Sequence, residues 1–259
     1  HTDHVNFAAF GPLGSRVVTA GYDQTVRVWE LESEQEVVRL DEWSKRAQAK
    51  ITSMIQYVEF SPDEQQVITV SKLIGIELWD LESRSAKPLG PGTYATFSPD
   101  GQQIAVVNYR RIRFLNARTL ELTSETPEQI REISHIEFSP DSRLVLACNS
   151  ENAVRVWDTQ SGQISFELRG HESATRHASF SHDGNRVASA SDDATARTWH
   201  TKSGAQRAQF DAMLGNRPKL VSVSSDSESV VFAKASEVST TVFDDQLNAT
   251  DVSFLDRAT

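Results

Sequence analysis

The sequence feature that most constrains the fold is a set of four polar and aromatic residues that occurs twice. One set consists of His171, Ser189, Asp193 and Trp199. The other consists of His1, Thr19, Asp23 and Trp29. In both sets the successive intervals are 18, 4 and 6 residues. A His can donate to a carboxylate, and a hydroxyl can donate to one as well as accept from an indole N–H, so each set can form one hydrogen-bonded network. Such partners matter because an unmade buried hydrogen bond costs about 1–3 kcal/mol.

A longer unit repeats around these sets, with the period of roughly 40–45 residues that is typical of propeller blades. Its first turn follows a residue that is Phe in all but the last copy: Phe10, Phe60, Phe97, Phe138, Phe180 and Val223. The six repeats cover roughly 1–31, 51–81, 90–117, 131–159, 171–201 and 216–245. Alternating apolar residues predict three strands in each repeat, and a polar turn with a fourth short strand follows. We therefore expect four antiparallel strands per repeat.

These residues resemble the WD40 family, whose blades contain a His–Ser/Thr–Asp–Trp network. The resemblance implies an all-β fold, a β-propeller of four-stranded antiparallel WD40 blades that forms a single domain over residues 1–259. Six repeats favour six blades, but most of the family has seven, so a ring with one missing or degenerate blade remains an alternative. We expect the last strand, about 251–255, to close the ring by completing the first blade. Since the family has Gly-His where this chain starts on His1, we also expect an excised piece of a longer polypeptide.

Composition excludes several classes of protein. The formal net charge of −10 argues against nucleic acid as the main partner, because phosphate binding depends on Lys and Arg. No apolar run approaches the roughly 20 residues of a membrane-spanning helix, so no membrane partner is expected. The single cysteine, Cys148, excludes a disulfide framework within the chain and favours a reducing compartment. We therefore expect a cytoplasmic location.

A Ser, a His and an Asp in one network suggest a hydrolase, but a copy in more than one blade favours a structural role. The second and fourth repeats keep Trp79 and Trp157 and lack most of the set, so we expect apolar packing alone to hold them. His135 and His177 occupy equivalent positions in adjacent repeats and could approach each other. A metal site is one interpretation, and packing between blades is the favoured one. We predict no catalytic, metal or cofactor site.

Two positions in each repeat are predicted to display partner-binding side chains, because the family commonly docks partners on the face that carries the turns before the third strands. Their residues, with Arg110 beside them, are Tyr22, Tyr109, Arg176, Arg110, Lys72, Asn6, Gln56, Asp192 and Lys219. Tyr and Arg are the residue types that most often anchor interfaces.

The resemblance favours a non-catalytic protein–protein interaction platform or sensor module. Its partner would be a protein or peptide, or other domains of the same polypeptide. One alternative is a propeller that binds a small ligand or performs catalysis in its central channel. Another is a scaffold for self-assembly, and the oligomeric state stays open.

Overall fold

The computed structural model describes residues 1–40, 55–72, 74–129, 132–149, 151–211, 220–223, 230–233, 239–243 and 249–253. The chain divides into two compact units, His1–Thr123 and Ser124–Thr259. All regular secondary structure in the described residues is β-strand, which confirms the expected all-β class. The two units are described separately below.

The first unit contains three four-stranded antiparallel sheets. The first sheet consists of β1 (Val5–Phe10), β2 (Arg16–Gly21), β3 (Val26–Glu30) and β4 (Gln35–Leu40). The second consists of β5 (Ile55–Phe60), β6 (Gln66–Ser71), β7 (Gly75–Asp80) and β8 (Ala86–Gly90). The third consists of β9 (Tyr94–Phe97), β10 (Gln103–Asn108), β11 (Arg111–Asn116) and β12 (Leu122–Glu125), whose last strand extends across the unit boundary.

The second unit contains two further sheets of this type and two smaller ones. The fourth sheet consists of β13 (Ile133–Phe138), β14 (Leu144–Asn149), β15 (Ala153–Asp158) and β16 (Ile164–Arg169). The fifth consists of β17 (Thr175–Phe180), β18 (Arg186–Ser191), β19 (Thr195–His200) and β20 (Gln206–Asp211). The two-stranded sheets pair β21 (Leu220–Val223) with β22 (Val230–Ala233), and β23 (Ser239–Phe243) with β24 (Ala249–Ser253).

The expected four antiparallel strands are therefore confirmed for the first five repeats. The expectation that the last strand completes the first blade is wrong. β24 pairs with β23, and the first sheet takes its fourth strand from β4. The local hairpin is favoured because closing its short loop costs little entropy. Pairing the last strand with the first sheet would close a very long loop and cost more. Blade number and ring closure stay predictions.

In the second to fifth sheets, the turn that follows the first strand explains a recurring Phe-Ser-Pro-Asp sequence, in which the fifth sheet has His182 in place of the proline. Ser61 donates its hydroxyl to Asp63 at 2.5 Å and accepts the N–H of Gln66 at 2.9 Å. The same two bonds form at the other three turns of this type, which start at Ser98, Ser139 and Ser181. The serine thus supplies the donor and the acceptor that hold the hairpin closed, as Ser and Asp commonly do in turns.

The second, third and fifth sheets each pack their first strand on the sheet that precedes them. Phe60 of β5 joins the core of the first sheet with Val18 and Val26, and Phe180 of β17 joins Val154 of the fourth sheet. These phenylalanines are at most 5% exposed. The apolar face of every such strand is therefore covered by a neighbouring sheet, which is where most of the stabilising burial occurs.

Candidate functional site

The network of the fifth sheet links four side chains, two from the strands β18 and β19 and two from the connections before β17 and between β18 and β19. His171 Nδ1 lies 2.9 Å from Asp193 Oδ2, and His171 Nε2 lies 2.7 Å from the Ser189 hydroxyl. Trp199 Nε1 donates to that hydroxyl at 2.8 Å. Because an ionised carboxylate only accepts, Nδ1 carries the proton and Nε2 accepts from the serine. The hydrogen bonds that the spacing predicts are present, with the histidine between the carboxylate and the hydroxyl.

The first sheet repeats this network. His1 Nδ1 lies 2.9 Å from Asp23, His1 Nε2 lies 2.7 Å from the Thr19 hydroxyl, and Trp29 Nε1 donates to Thr19 at 2.8 Å. A fifth residue, which the sequence analysis missed, is Thr25, whose hydroxyl donates to Asp23 at 2.8 Å. Its counterpart in the fifth sheet is Thr195, which donates to Asp193 at 2.7 Å. The sequence does contain a signal for this fifth residue, because a threonine stands two residues after each of the two aspartates.

The fifth-sheet network is closed to substrates. Burial opposes the charged carboxylate of Asp193, but hydrogen bonds from Thr195, from the N–H of Glu172 and from His171 outweigh it and lower its pKa to about 2. Burial lowers the pKa of His171 despite the neighbouring aspartate. Ser189 is 0% exposed, so its hydroxyl cannot meet a carbonyl from outside. The arrangement stabilises the blade and gives no route for nucleophilic catalysis.

An arginine two residues before the tryptophan extends both networks, and the sequence analysis missed it. Arg27 donates to Asp23 at 2.9 Å and to Glu36 on β4 at 2.8 Å. Arg197 likewise reaches the fourth strand of its sheet, where it donates to Gln206 at 2.8 Å. Each arginine thus ties the outermost strand to the third strand. The recurrence of Arg at this position was visible in the sequence.

The expectation that apolar packing alone holds the second and fourth sheets is wrong. In the second sheet, Trp79 Nε1 donates to the Thr69 hydroxyl at 3.1 Å. In the fourth, Arg155 donates to Glu167 at 2.8 Å, to Gln129 at 3.1 Å and to Glu151. Gln129 stands 28 residues before the sheet's tryptophan, the interval that separates His171 from Trp199. It was missed because it replaces the histidine with a different chemical type.

Aromatic and imidazole rings pack between the first strands of adjacent sheets. In the first unit Tyr57 contacts Phe7 and Tyr94, with ring centroids 5.0 and 4.6 Å apart. In the second unit His135 stacks on His177 at 4.0 Å. Burial and the second imidazole lower the pKa of His135 to about 3, so it is neutral. The favoured interpretation of packing is confirmed for these rings. Within the described residues, no group of three or more His, Cys, Asp or Glu side chains is placed to hold a metal ion.

The predicted partner-binding residues divide into exposed and engaged side chains. Exposed on the first unit are Tyr22, Gln56, Lys72, Tyr109 and Arg110. The rings of Tyr22 and Tyr109 belong to residues that are 41% and 57% exposed. The exposed surface of these residues can be reached by a partner.

The other predicted residues are engaged, with one exception. Arg176 forms an ion pair with Asp192, which shows that the two predicted positions of a repeat lie together. Asn6 donates its side-chain amide to the carbonyl of Ile55 and so ties the first two sheets. Lys219 lies outside the described residues. Asn6 is therefore better explained as a contact between sheets than as a partner-binding residue.

Comparison with known families agrees with this geometry. The family model for "WD domain, G-beta repeat" matches residues 1–30, 123–158 and 162–200. These three segments are WD40 repeats. The matched segments end at or beside Trp29, Trp157 and Trp199, the tryptophans of the first, fourth and fifth sheets.

Curated relatives with the same repeats are distant. The chain is similar to "Target of rapamycin complex subunit LST8" of Bos taurus, with 24% identity over 180 residues, 64% of this chain and 53% of the relative. It is 27% identical to "Protein LST8 homolog" of Drosophila melanogaster over 60% of this chain and 52% of the relative. For "Apoptotic protease-activating factor 1" of Mus musculus the identity is 24%, over 68% of this chain and 14% of the relative. The chain spans about half the length of the LST8 relatives.

One further finding concerns membranes. In the part of the chain that the structure describes, no helix has the length and apolar character needed to cross a bilayer.

Proposed function

We propose that this WD40 chain is a non-catalytic platform for protein–protein interaction, and that its partners dock on the turns between the second and third strands. The observation that carries the proposal is the exposure of Tyr22 and Tyr109 on these turns. Tyr is a residue type that anchors interfaces. The name of the LST8 relatives identifies them as a subunit of a complex, which supports the same role here. A cytoplasmic location, supported by the single buried Cys148, is part of the proposal.

The mechanism is rigid display. The N–H of Tyr22 donates to the carbonyl of His4 at 2.8 Å, and the N–H of Asp192 donates to Ala174 at 2.9 Å. The N–H of Thr93 donates to Val107 at 2.8 Å, next to the turn that carries Tyr109. These backbone bonds tie each turn to the start of a first strand. Binding then requires little ordering of the loops, so more of the contact energy remains as affinity.

The experiment is a pull-down from lysate with the full chain and with a Tyr22→Ala/Tyr109→Ala/Arg176→Ala variant as baits. A matched control carries three alanines on exposed residues at the opposite ends of the sheets, Leu13→Ala/Arg118→Ala/Lys202→Ala. All three baits must have the same thermal unfolding midpoint.

We expect the unmodified chain and the control variant to retain the same partner, and the first variant to lose it. Equal retention by all three baits would show that partners dock elsewhere and would overturn the proposed face. If no bait retains a protein, the platform function itself is wrong.

A further inference from the structure

We infer that a groove between the fourth and fifth sheets binds a short zwitterionic peptide, a ligand with an ammonium group, a carboxylate and an apolar side chain between them. The groove has a volume of about 820 Å³, within the roughly 300–1,000 Å³ that is usual for small-molecule sites. It lies beside the turns that join first to second and third to fourth strands, at the ends of the sheets opposite to the turns proposed above to dock proteins. The inference is therefore independent of the platform function.

Part of the lining of the groove is apolar. Pro140 lines it together with Leu144 and Phe166, two half-buried residues that pack on the core of the fourth and fifth sheets. The two equivalent positions of the second sheet hold Gln66 and Lys87, which line a smaller cavity of about 270 Å³. The apolar lining can bind the apolar side chain of a ligand, because their contact removes both surfaces from water.

A glycine keeps the groove open. Gly184 stands four residues after the turn phenylalanine of the fifth sheet, where the second sheet has Glu64. The carboxylate of Glu64 accepts the N–H of Leu13 at 2.8 Å and leaves no room for a side chain at Gly11. Gly184 lies against Pro140 and has no side chain to extend in this way. The space that Glu64 fills between the first and second sheets is therefore left to a ligand between the fourth and fifth.

Two exposed side chains of opposite charge line the groove. Asp141, in the turn after β13, accepts the Ser139 hydroxyl through Oδ1 at 2.6 Å, and Lys202 lies in the turn after β19. Neither Asp141 nor Lys202 forms an ion pair with the residues that the structure describes. The other acid of the lining, Asp183, accepts the side-chain amide of Asn185 at 2.9 Å. The complement of this groove is a ligand with a cation for Asp141 and an anion for Lys202.

A peptide of two or three residues with free ends has all the features that the groove selects. Its ammonium end complements Asp141, and its carboxylate end complements Lys202. A large apolar side chain between the ends covers Leu144 and Phe166. A polyanion or a polycation fits less well, because each meets one like charge in the groove. A segment within a longer protein lacks the charged ends.

The test is isothermal titration calorimetry of the full chain with the tripeptide Gly-Phe-Gly. We expect the affinity to fall about fivefold or more in Asp141→Asn/Lys202→Gln, because both ion pairs with the peptide ends are lost. Asparagine keeps the oxygen that accepts from Ser139, so the turn is preserved. The control, Asp63→Asn/Lys72→Gln, makes the same changes at exposed residues of the second sheet. We expect it to stay within about twofold, because screening at about 0.15 M salt limits the reach of exposed charges to about 8 Å.

Two changes to the ligand complete the test. Gly-Ala-Gly, and Gly-Phe-Gly with an acetylated N-terminus and an amidated C-terminus, should each bind about fivefold more weakly or worse. No binding of Gly-Phe-Gly, or equal affinity of the unmodified chain and Asp141→Asn/Lys202→Gln, would overturn the inference. Equal binding of the blocked peptide would overturn it as well, because the ligand would then be a segment within a protein. If the double variant does not fold, Lys202→Gln alone, at an exposed side chain, decides the question.

Discussion

A single missing hydroxyl deprives the tryptophan of the fourth sheet of the hydrogen bond that the tryptophans of the first, second and fifth sheets form. Ala147 faces Arg155 in the register of β14 and β15, as Ser189 faces Arg197 and Thr19 faces Arg27. The hydroxyls at the other two positions accept the indole N–H of a tryptophan. Trp157 Nε1 is buried and has no hydrogen-bond acceptor among the residues that the structure describes. A buried donor without a partner lowers stability by about 1–3 kcal/mol.

We therefore predict that Ala147→Ser stabilises the protein. The new hydroxyl would stand where Ser189 stands in the fifth sheet, so the free energy of unfolding should rise by about 1 kcal/mol. Urea denaturation measures the change. The control is the same substitution in a Trp157→Phe background, where no indole N–H remains and the gain should vanish. A gain of equal size in that background would contradict the hydrogen-bond explanation.

The residues of the two complete networks could be predicted from sequence, and those of the fourth sheet could not. His171 and Asp193 are recognisable because their spacing and their chemical types are both kept. In the fourth sheet Gln129, Arg155 and Glu151 fulfil a similar structural role with other chemistry, so a search for the original types fails. Which partner a charged side chain chooses depends on three-dimensional packing, which spacing alone does not specify.

At the scale of elements, β5 and β13 each carry a glutamate directly before the phenylalanine that ends the strand. This glutamate accepts hydrogen bonds from the next sheet. Glu59 accepts from the Thr96 hydroxyl at 3.0 Å, and Glu137 accepts from the N–H of Phe180 at 2.9 Å. Burial raises the pKa of both carboxyls to about 7, although these hydrogen bonds act in the opposite direction. The contact between neighbouring sheets is thus sensitive to pH.

We predict that the Glu59→Gln variant gains stability relative to the unmodified protein as the pH rises. The folded pKa lies above the unfolded value, so the stability that Glu59 contributes is present below about pH 4.5 and lost as the pH passes about 7. Glutamine resembles the protonated acid at every pH. Between about pH 5 and pH 8 the unfolding free energy of the variant minus that of the parent should increase by up to about 3 kcal/mol, since one pKa unit corresponds to about 1.4 kcal/mol.

The measurement is urea denaturation of both proteins at the two pH values. Contributions from His135, His171 and other titrating groups are shared and cancel in the difference. Glu82→Gln, at an exposed position of the second sheet, is the control and should change the free energy of unfolding by no more than about 0.5 kcal/mol. A flat difference for Glu59→Gln would show that this carboxyl is already ionised at low pH in the folded protein.

At the scale of the whole molecule, the first strand of the first sheet differs from its counterparts. Phe10 is 73% exposed, whereas Phe60 of the second sheet is 2% exposed. Val5 is likewise 50% exposed, and Ile55, its equivalent, is 1% exposed. The sequence pattern is the same in both strands, so local sequence does not decide their burial. Phe60 is buried because β5 packs on the first sheet.

We predict that Phe10→Ala changes the free energy of unfolding by less than about 1 kcal/mol, as is usual for exposed positions. Phe60→Ala should cost about 3–5 kcal/mol, because it opens a cavity in the core of the first sheet. Urea denaturation of the two variants provides the comparison. An equally large loss of stability for Phe10→Ala would show that this strand is covered in solution. Analytical ultracentrifugation would then determine whether a second copy of the chain covers it, because a dimer has twice the mass of the monomer.

Much of the fold was predictable because each repeat carries its own turn and strand signals. The phenylalanine before the first turn of a repeat, such as Phe180 of β17, predicts where each of the five four-stranded sheets begins. The pairing of β24 was not predictable in this way, because a strand pattern states which face is apolar and does not name the partner strand. The exposure of Tyr109 and the ion pair of Arg176 likewise required the three-dimensional arrangement.

The serine-centred turns at Ser61, Ser98, Ser139 and Ser181 have a consequence for how the chain folds. Each closes a hairpin through bonds that span no more than five residues, and the strands of every four-stranded sheet follow one another directly in the chain. Contacts of such short range form quickly, because little chain entropy is lost before they are made. Each sheet can therefore take shape as a separate event during synthesis, and a sheet completed early offers the next phenylalanine a surface on which to assemble.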